Sequence, residues 1–492
     1  MRFAVKFLGC KVSHADVMLA RRRLLQAGHE EVPESEAELH VINTCCITSE
    51  AEAKSRQSVR RSLRSAREVY VSGCAANLNA TQFAEIDPAV RPFVGTADDV
   101  AAAIPTAAAI PTAAATPAKL GSCVDLEHEP LVGRQNGPRR ARVFASAPAG
   151  GLVNVRAHAR GGVGETNTAT RPPAALPERS ASVRTRGFVK VQDGCDCHCA
   201  YCIIPTVRGS ARSRPAAAVL DEVRRRVADG QPEVVMTGIS VGDYRDPEDG
   251  LELGELMMAA AAVPGVERVR LSSVEVIHVR DTLLRALREE PKVCPHLHVP
   301  MQSGDDGVLE AMGRHYTAAE YLRAIRELRA AVPHVNVTTD VIVGFPAEDE
   351  DAFGRTLEMV REAGISRVHC FSYSPRPGTV AEGLGDRVAP QEKKRRSQAL
   401  RGLSEVRSRQ HRATKLGGRE RVLVDKVADT QCSGYTADYT RCYLPAGAAA
   451  AGEVVEVAVH ELHADGLRVA VACYKREQMS PPGWGRAGRG YA

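Results

Sequence analysis

The sequence predicts an α/β protein in three parts: an N-terminal doubly wound parallel sheet, a central partial (β/α)6 barrel and a small C-terminal β-barrel. Three observations predict it. Strand and helix patterns alternate over residues 1–99, which implies parallel strands joined by helices. The alternation returns from residue 184 through six βα units, too few for a closed eight-fold barrel. From residue 416 to about 472 short β segments follow one another, RVLVDKV, GYTADYTRCYLP, EVVEVAVHEL and LRVAVACY, at a spacing that suits a small barrel. A chain of 492 residues also exceeds the ~250–300 residues that one core usually reaches.

In order along the chain, residues 2–8, 39–42 and 69–72 read as strands, and residues 14–27 and 49–65 as helices, the second with Ser49 as N-cap. Residues 100–182 open on the Ala/Pro/Thr tract AAAIPTAAAIPTAAATPAKL and hold too little apolar content for a core. They read as a partly disordered linker with brief strands at most at 124–127 and 152–155. The second part, 183–385, has expected strands at 187–191, 233–237, 268–271, 296–299, 336–343 and 367–371. Its helices are expected at 215–229, 251–262, 281–289, 318–331 and 348–363. A basic helical connector spans 386–415, the small β-barrel 416–474, and a disordered tail 475–492.

Fourteen cysteines in a long chain rich in Lys and Arg do not fit a small secreted disulfide scaffold, so metal or redox chemistry is the reading. Leu8-Gly9-Cys10 loosely resembles a lipoprotein cleavage site. The apolar stretch 3–8 is, however, broken by Lys6 and shorter than the ~7–15 residues of a signal segment. No run approaches the ~18 apolar residues of a membrane span. The expectation is a cytoplasmic protein without a membrane partner, its thiols reduced.

Two sets of cysteines stand out. VQDGCDCHCAYCIIPTVRG places Cys195, Cys199 and Cys202 in Cys-x3-Cys-x2-Cys spacing just past the first barrel strand, at the mouth where barrel enzymes keep their chemistry. Three thiolates on a cubane leave one iron open to a ligand. The alternative is a zinc knuckle, with Cys197 or His198 as a fourth ligand. Cys10, Cys45 and Cys74 follow three successive strands, and in a parallel sheet such positions converge on one crevice. The alternative is three unrelated buried thiols. Cys46 is left out, since it points elsewhere than Cys45.

The blocks GCK, NTCCIT, KSRQSVRR, GCDCHCAYCIIP, RGSARSRP, LSSVE, PMQSG, TTDVIVGFP and YSPRPGT together resemble the methylthiotransferase family of radical S-adenosylmethionine enzymes, over nearly the whole chain except 101–182. Departures are Ser13-His14, Ala75-Ala76, Cys197 and the long insert. The resemblance implies an N-terminal cluster domain, a radical barrel and a C-terminal TRAM domain that binds RNA. It implies two 4Fe–4S clusters, one on Cys10, Cys45 and Cys74 and one on Cys195, Cys199 and Cys202. The open iron of the latter takes S-adenosylmethionine, whose reductive cleavage gives a 5′-deoxyadenosyl radical. An electron donor such as flavodoxin or ferredoxin is implied as a partner, with tRNA as the substrate.

Small or acidic residues at the barrel strand ends are candidate cofactor contacts: Gly238, Ser273, Glu275, Ser303, Gly304 and Asp340, with Tyr201 beside the third cysteine. Glu275 is the candidate for the ribose hydroxyls. Asp340 equally suits a structural hydrogen bond. Arg208 and Arg214 are candidates to balance cluster or substrate charge, or else solvated loop residues. Residues 391–412 hold eight Lys or Arg against two Glu, a pattern that suits a polyanion, with Lys393, Lys394, Arg395 and Arg396 as phosphate contacts. Tyr435, Tyr439 and Tyr443 are candidates to stack on bases, or core residues of the small barrel.

The activity implied is methylthio addition at C2 of a modified adenosine next to the anticodon. CIIPTVRGSARSRP, MTGIS and GYTADY look most like the enzymes acting on N6-threonylcarbamoyladenosine. Enzymes acting on isopentenyladenosine are the alternative, followed by a relative that modifies a ribosomal protein aspartate. A non-enzymatic, RNA-binding iron–sulfur sensor would have no use for six βα units.

Overall fold

The computed structural model describes residues 1–95, 104 and 184–472. The two brief strands expected at 124–127 and 152–155, most of the linker and the whole tail 475–492 lie outside the described residues.

The N-terminal sheet is parallel and five-stranded. Its strands are β1 (Arg2–Phe7), β2 (Glu30–Glu31), β3 (Leu39–Thr44), β4 (Glu68–Gly73) and β5 (Val90–Pro92), in the order β2-β1-β3-β4-β5. Every residue of β3 is buried, because helices cover both faces of a doubly wound sheet. Strands β2 and β5 carry too few residues for periodicity to reveal them. The first helix begins at Lys11, directly after Cys10, rather than at residue 14. The helix Ser49–Ser62 is capped by Thr48, whose side chain accepts from the Ala51 N–H, one residue before the expected cap.

The central strands are β6 (Arg186–Lys190), β9 (Glu233–Thr237) and β10 (Arg268–Leu271) in one sheet, and β11 (His296–His298), β12 (Asn336–Val343) and β13 (Arg367–Ser372) in a second. All pair in parallel. Bridges at Val269–Val293 and Ser273–His298 link the two sheets, so six strands follow one another as an open (β/α)6 barrel. A small hairpin, β7 (Gln192–Asp193) with β8 (Arg212–Ser213), follows β6. Side chains alternate along each strand. Val189, Val234, Met236, Val269, Leu271, Leu297, Val337, Val341 and Val368 pack in the large core under the outer helices. Phe188, Val235, Arg270, His296, His298, Asp340 and His369 therefore face the lumen.

Two other elements close that lumen. The first helix packs Ala15 against Phe188 and Val235, with the His14 ring edge-on to Phe188 at 4.9 Å. The C-terminal barrel covers the strand starts. It is closed, with β14 (Arg419–Val427), β15 (Gln431–Thr436), β16 (Arg441–Pro445), β17 (Val454–His463) and β18 (Gly466–Val471) in the order β14-β15-β16-β18-β17. Its β15–β16 turn reaches into the larger barrel. Arg270 donates to the carbonyls of Thr436 and Ala437, and Asn336 donates to that of Asp438. The helix Pro390–Ala413 joins the two barrels and lies against β13. Among the described residues no helix is long and apolar enough to cross a membrane.

Candidate active site

Cys10, Cys45 and Cys74 stand just past β1, β3 and β4, which are neighbours in the sheet. The thiols lie within one another's electrostatic reach. Gly73 sets the last turn: its φ is +90°, and a Cβ there would come within 2.6 Å of the Thr44 carbonyl, so only glycine lets the chain turn into Cys74. The Cys45 N–H donates to Ser55 Oγ at 3.1 Å. Cys46, expected to point elsewhere than Cys45, is buried in the same apolar cluster as Cys74 and lies in the electrostatic reach of both Cys74 and Cys45. Burial pushes the Cys74 thiol up to about 11 although Arg208 opposes the shift; Arg208 Nε donates to its sulfur at 3.2 Å.

The second set lies on the loop after β7. Gly194 has φ +71°, and a Cβ would meet the Ser210 carbonyl at 2.0 Å, so the loop folds back on itself before Cys195. The Cys195 N–H donates to the Gly209 carbonyl, and the Cys202 N–H to that of Cys199. Arg314 donates to Cys199 Sγ at 3.1 Å and pairs with Glu275 at 3.1 Å. Burial holds the Cys202 thiol up at about 12. Cys197 lies in the same field, and its own N–H donates to Cys195 Sγ at 3.3 Å.

Among the described residues no three His, Cys, Asp or Glu side chains are drawn together as for one metal ion. A cubane binds its thiolates on separate irons, and each set offers three thiols to such a group. A guanidinium on one sulfur of each set suits the negative charge of thiolate ligation.

One ion network joins the N-terminal set to the strand end that leads into the second. Asp16, from the first helix, pairs with Lys190 at 2.5 Å and Arg208 at 3.2 Å. Asp193 pairs with both of those cations, at 3.1 and 3.0 Å. Arg208 thus touches Cys74, Asp16 and Asp193 at once, and all four groups of the network are nearly buried. A polar cavity of about 250 Å³ opens beside it, lined among others by Asn77, Lys190 and Arg212.

The expected cofactor contacts divide. Glu275 holds Arg314, which lies over the Tyr316 ring at 5.0 Å. Tyr201 packs beside the small core around Phe345 and Tyr373, anchoring the cysteine loop. Gly238 is needed because a Cβ would strike Gln192 at 2.9 Å; Gln192 accepts from the next two backbone N–H groups. Ser273 bridges to His298 through the backbone. Asp340 accepts from His298 Nε2 at 3.0 Å while His298 Nδ1 meets Thr338 at 2.9 Å, so its structural hydrogen bond is present inside the lumen. Ser303 and Gly304 are packed against a helix. Ser303 is fully buried against Thr356, and a Cβ on Gly304 would meet the Thr356 Cα at 2.7 Å, so both serve the packing of the helix Glu350–Glu362. Arg214 holds Glu222 and the Lys190 carbonyl and reaches neither set.

The polyanion contacts also need correction. Lys393 and Arg396 are buried. Arg396 pairs with Glu348 at 2.6 Å, and Lys393 donates to the Tyr373 carbonyl at 3.0 Å and pairs with Asp386. Arg395 is exposed but holds Glu392 and Glu350. Lys394 is exposed, without an ion pair among the described residues. Tyr435 and Tyr439 stack on each other at 4.9 Å. Arg186 lies over both rings, and Tyr439 lies on His296 at 5.1 Å. They are the joint between the two barrels rather than stacking platforms for bases. Tyr443 is fixed by Asp465.

Residues 189–360 match the family model described as the Radical SAM superfamily, and residues 2–95 match that described as Uncharacterized protein family UPF0004. A threonylcarbamoyladenosine tRNA methylthiotransferase, MtaB, of Thermotoga maritima is 32% identical over 441 residues, 89% of this chain and 90% of that one. The chain belongs to the radical S-adenosylmethionine methylthiotransferase family. The MtaB of Bacillus subtilis is 30% identical over 465 residues, 92% of each chain. A tRNA-2-methylthio-N(6)-dimethylallyladenosine synthase of Geobacter sulfurreducens is 31% identical over 431 residues, 86% of each. As a radical S-adenosylmethionine enzyme that transfers a methylthio group, this methylthiotransferase works with a 4Fe–4S cluster and S-adenosylmethionine.

Proposed function

We propose that the enzyme adds a methylthio group to C2 of N6-threonylcarbamoyladenosine next to the anticodon of tRNA. The observation that carries this reading is likeness to MtaB proteins at 30–32% identity over 89–94% of the chain. Cys195, Cys199 and Cys202 hold the cluster that binds S-adenosylmethionine. Cys10, Cys45 and Cys74 hold a second, which carries the sulfur. When bound, these groups supply the radical and the sulfur that an unactivated aromatic carbon requires, since polar chemistry is poorly suited to it.

The chain's own residues do the rest. Arg314 and Arg208 set a positive charge against one sulfur of each triad. The Asp16–Lys190–Asp193–Arg208 network fixes the N-terminal sheet to the barrel loop, so the two thiol sets keep their separation. Glu275, Ser273, Gly238 and Asp340 line the mouth and lumen on the cofactor side. Reducing equivalents come from a carrier such as flavodoxin or ferredoxin.

Dimethylallyladenosine is the second reading, because synthases with that name reach 31% identity. Mass spectrometry of tRNA nucleosides separates the two. Cells lacking the protein should lose 2-methylthio-N6-threonylcarbamoyladenosine and accumulate its precursor, with the dimethylallyl nucleosides unchanged. Loss of the methylthio dimethylallyl nucleoside instead would overturn the proposal.

In this reading tRNA meets Lys394 but not Lys393 or Arg396. Lys394→Ala should lower the log–log salt slope of tRNA binding by roughly 0.7–0.9, one phosphate contact. Arg396→Met should leave that slope unchanged and cost about 3–5 kcal/mol of stability by leaving buried Glu348 unpaired. Salt titrations of tRNA binding and denaturant melts check both.

A further inference from the structure

Lys11 is the first residue of the first helix and follows Cys10. It lies one helical turn from Ala15 on the same face, and Ala15 packs on Phe188 and Val235 of the lumen wall. That face therefore carries the Lys11 ammonium into the barrel. There it lies in the field of Asp340, Arg270, Arg186 and Tyr439, and His296 and His369 feel its charge. The side chain keeps some solvent contact but is enclosed on nearly all sides.

The neighbouring cations have partners. Arg268 and Arg270 hold Glu233, Arg186 holds Asp425, Lys190 holds Asp16 and Asp193, and Arg314 holds Glu275. Lys11 has neither an ion pair nor a hydrogen bond among the described residues. Asp340, the carboxylate in its field, is bonded to His298. An enclosed charge without a partner is costly, so this position suits an anion brought by a ligand.

We propose that Lys11 binds the carboxylate of the threonyl group on the substrate base and thereby selects N6-threonylcarbamoyladenosine over adenosines with a hydrocarbon substituent. The inference rests on the reading of the substrate given above and names the residue that reads it. A dimethylallyl group offers the ammonium nothing, and a site that leaves a buried charge unpaired rejects such an analogue. Since Lys11 adjoins Cys10, the bound base lies beside the thiol set assigned to sulfur. S-adenosylmethionine also carries a carboxylate, so the test distinguishes the two sources.

The test measures dissociation constants of the full-length reconstituted enzyme for three RNAs and for S-adenosylmethionine. The RNAs are anticodon stem-loops bearing threonylcarbamoyladenosine, its carboxamide analogue and dimethylallyladenosine. Lys11→Met should weaken the threonylcarbamoyl loop about 10- to 100-fold, the range of one charge-assisted hydrogen bond. It should leave the other two loops and S-adenosylmethionine unchanged, and Lys11→Arg should retain most of the preference. On the unaltered enzyme the carboxamide should lose a similar factor, which reads the same contact if the variant disturbs iron at Cys10. A fall in S-adenosylmethionine affinity with the loop preference intact assigns the lysine to the cofactor and overturns the proposal. No change with any ligand overturns it as well. An unaltered enzyme that does not favour the threonylcarbamoyl loop over dimethylallyl refutes the substrate reading itself, whatever the variants do.

Discussion

Replacing Cys195, Cys199 and Cys202 together by alanine should lower the iron of the anaerobically reconstituted enzyme from about eight to about four per chain and abolish formation of 5′-deoxyadenosine. The matching change at Cys10, Cys45 and Cys74 should also leave about four irons, but there 5′-deoxyadenosine should still form and the methylthio product should not. The asymmetry follows from position. The first triad adjoins Arg314, Glu275 and the barrel mouth. The second belongs to another sheet and meets the barrel through Arg208. Burial raises the thiols of Cys45, Cys74, Cys195 and Cys202, so each arrives protonated and must release a proton to bind iron. Iron loading therefore weakens as pH falls. Iron assays and chromatography of the nucleoside products check each part. Normal methylthio product from the N-terminal variant would remove the sulfur-carrying role.

Arg270→Met should destabilise the enzyme by about 3–5 kcal/mol, the range found when one partner of a buried ion pair is removed. Arg270 is 1% exposed. It holds Glu233 at 2.7 Å, donates to the carbonyls of Thr436 and Ala437, and lies over the Tyr439 ring at 4.7 Å. One side chain thus satisfies a buried carboxylate and seats the small barrel on the large one. Adding Glu233→Gln should recover part of the loss, since the orphaned charge goes with it. Burial alone would push the Glu233 carboxyl up, but Arg270 and then Arg268 outweigh it and hold it below the usual range. A depressed carboxylate contributes stability that is present above its unfolded pKa of ~4.3 and lost as pH falls through the folded value. Asp438 adds the same dependence: His411 and Lys415 overcome its burial and hold it low. Denaturant melts between pH 7 and pH 3 should show a steeper acid loss in the unaltered enzyme than in Arg270→Met.

The parts of the site that the sequence made legible are those carried by local pattern. Cys10, Cys45 and Cys74 each follow a strand that its own apolar run announces, and parallel strands bring such ends together without further information. The loop from Cys195 to Cys202 is compact in sequence as in space. Arg314 was not legible, because nothing near it marks a partner 115 residues earlier. Lys11 was hidden because the helix was expected to begin at residue 14, which removed the turn that aims Lys11 into the lumen; Asp16 pairs with Lys190 and Arg208, far away in sequence.

The basic helix shows how a charge count misleads. Lys393, Arg396, Ser397, Leu400 and Ser404 are its buried face, at helical spacing, and Leu400 could have set the phase. The count treated four adjacent cations as one patch, whereas the helix turns them to different sides. Tyr435 and Tyr439 were read from residue type alone. A left-handed turn at Tyr439, φ +70°, swings its ring toward Arg186 and His296, a long-range fit that no local pattern encodes.

The central claim is tested most directly by one anaerobic assay of the reconstituted enzyme with S-adenosylmethionine and three tRNAs, unmodified, threonylcarbamoylated and dimethylallylated, followed by mass spectrometry of the nucleosides. The account predicts a methylthio product on the threonylcarbamoylated tRNA alone. Product on the dimethylallylated tRNA, with the threonylcarbamoylated one untouched, would contradict it.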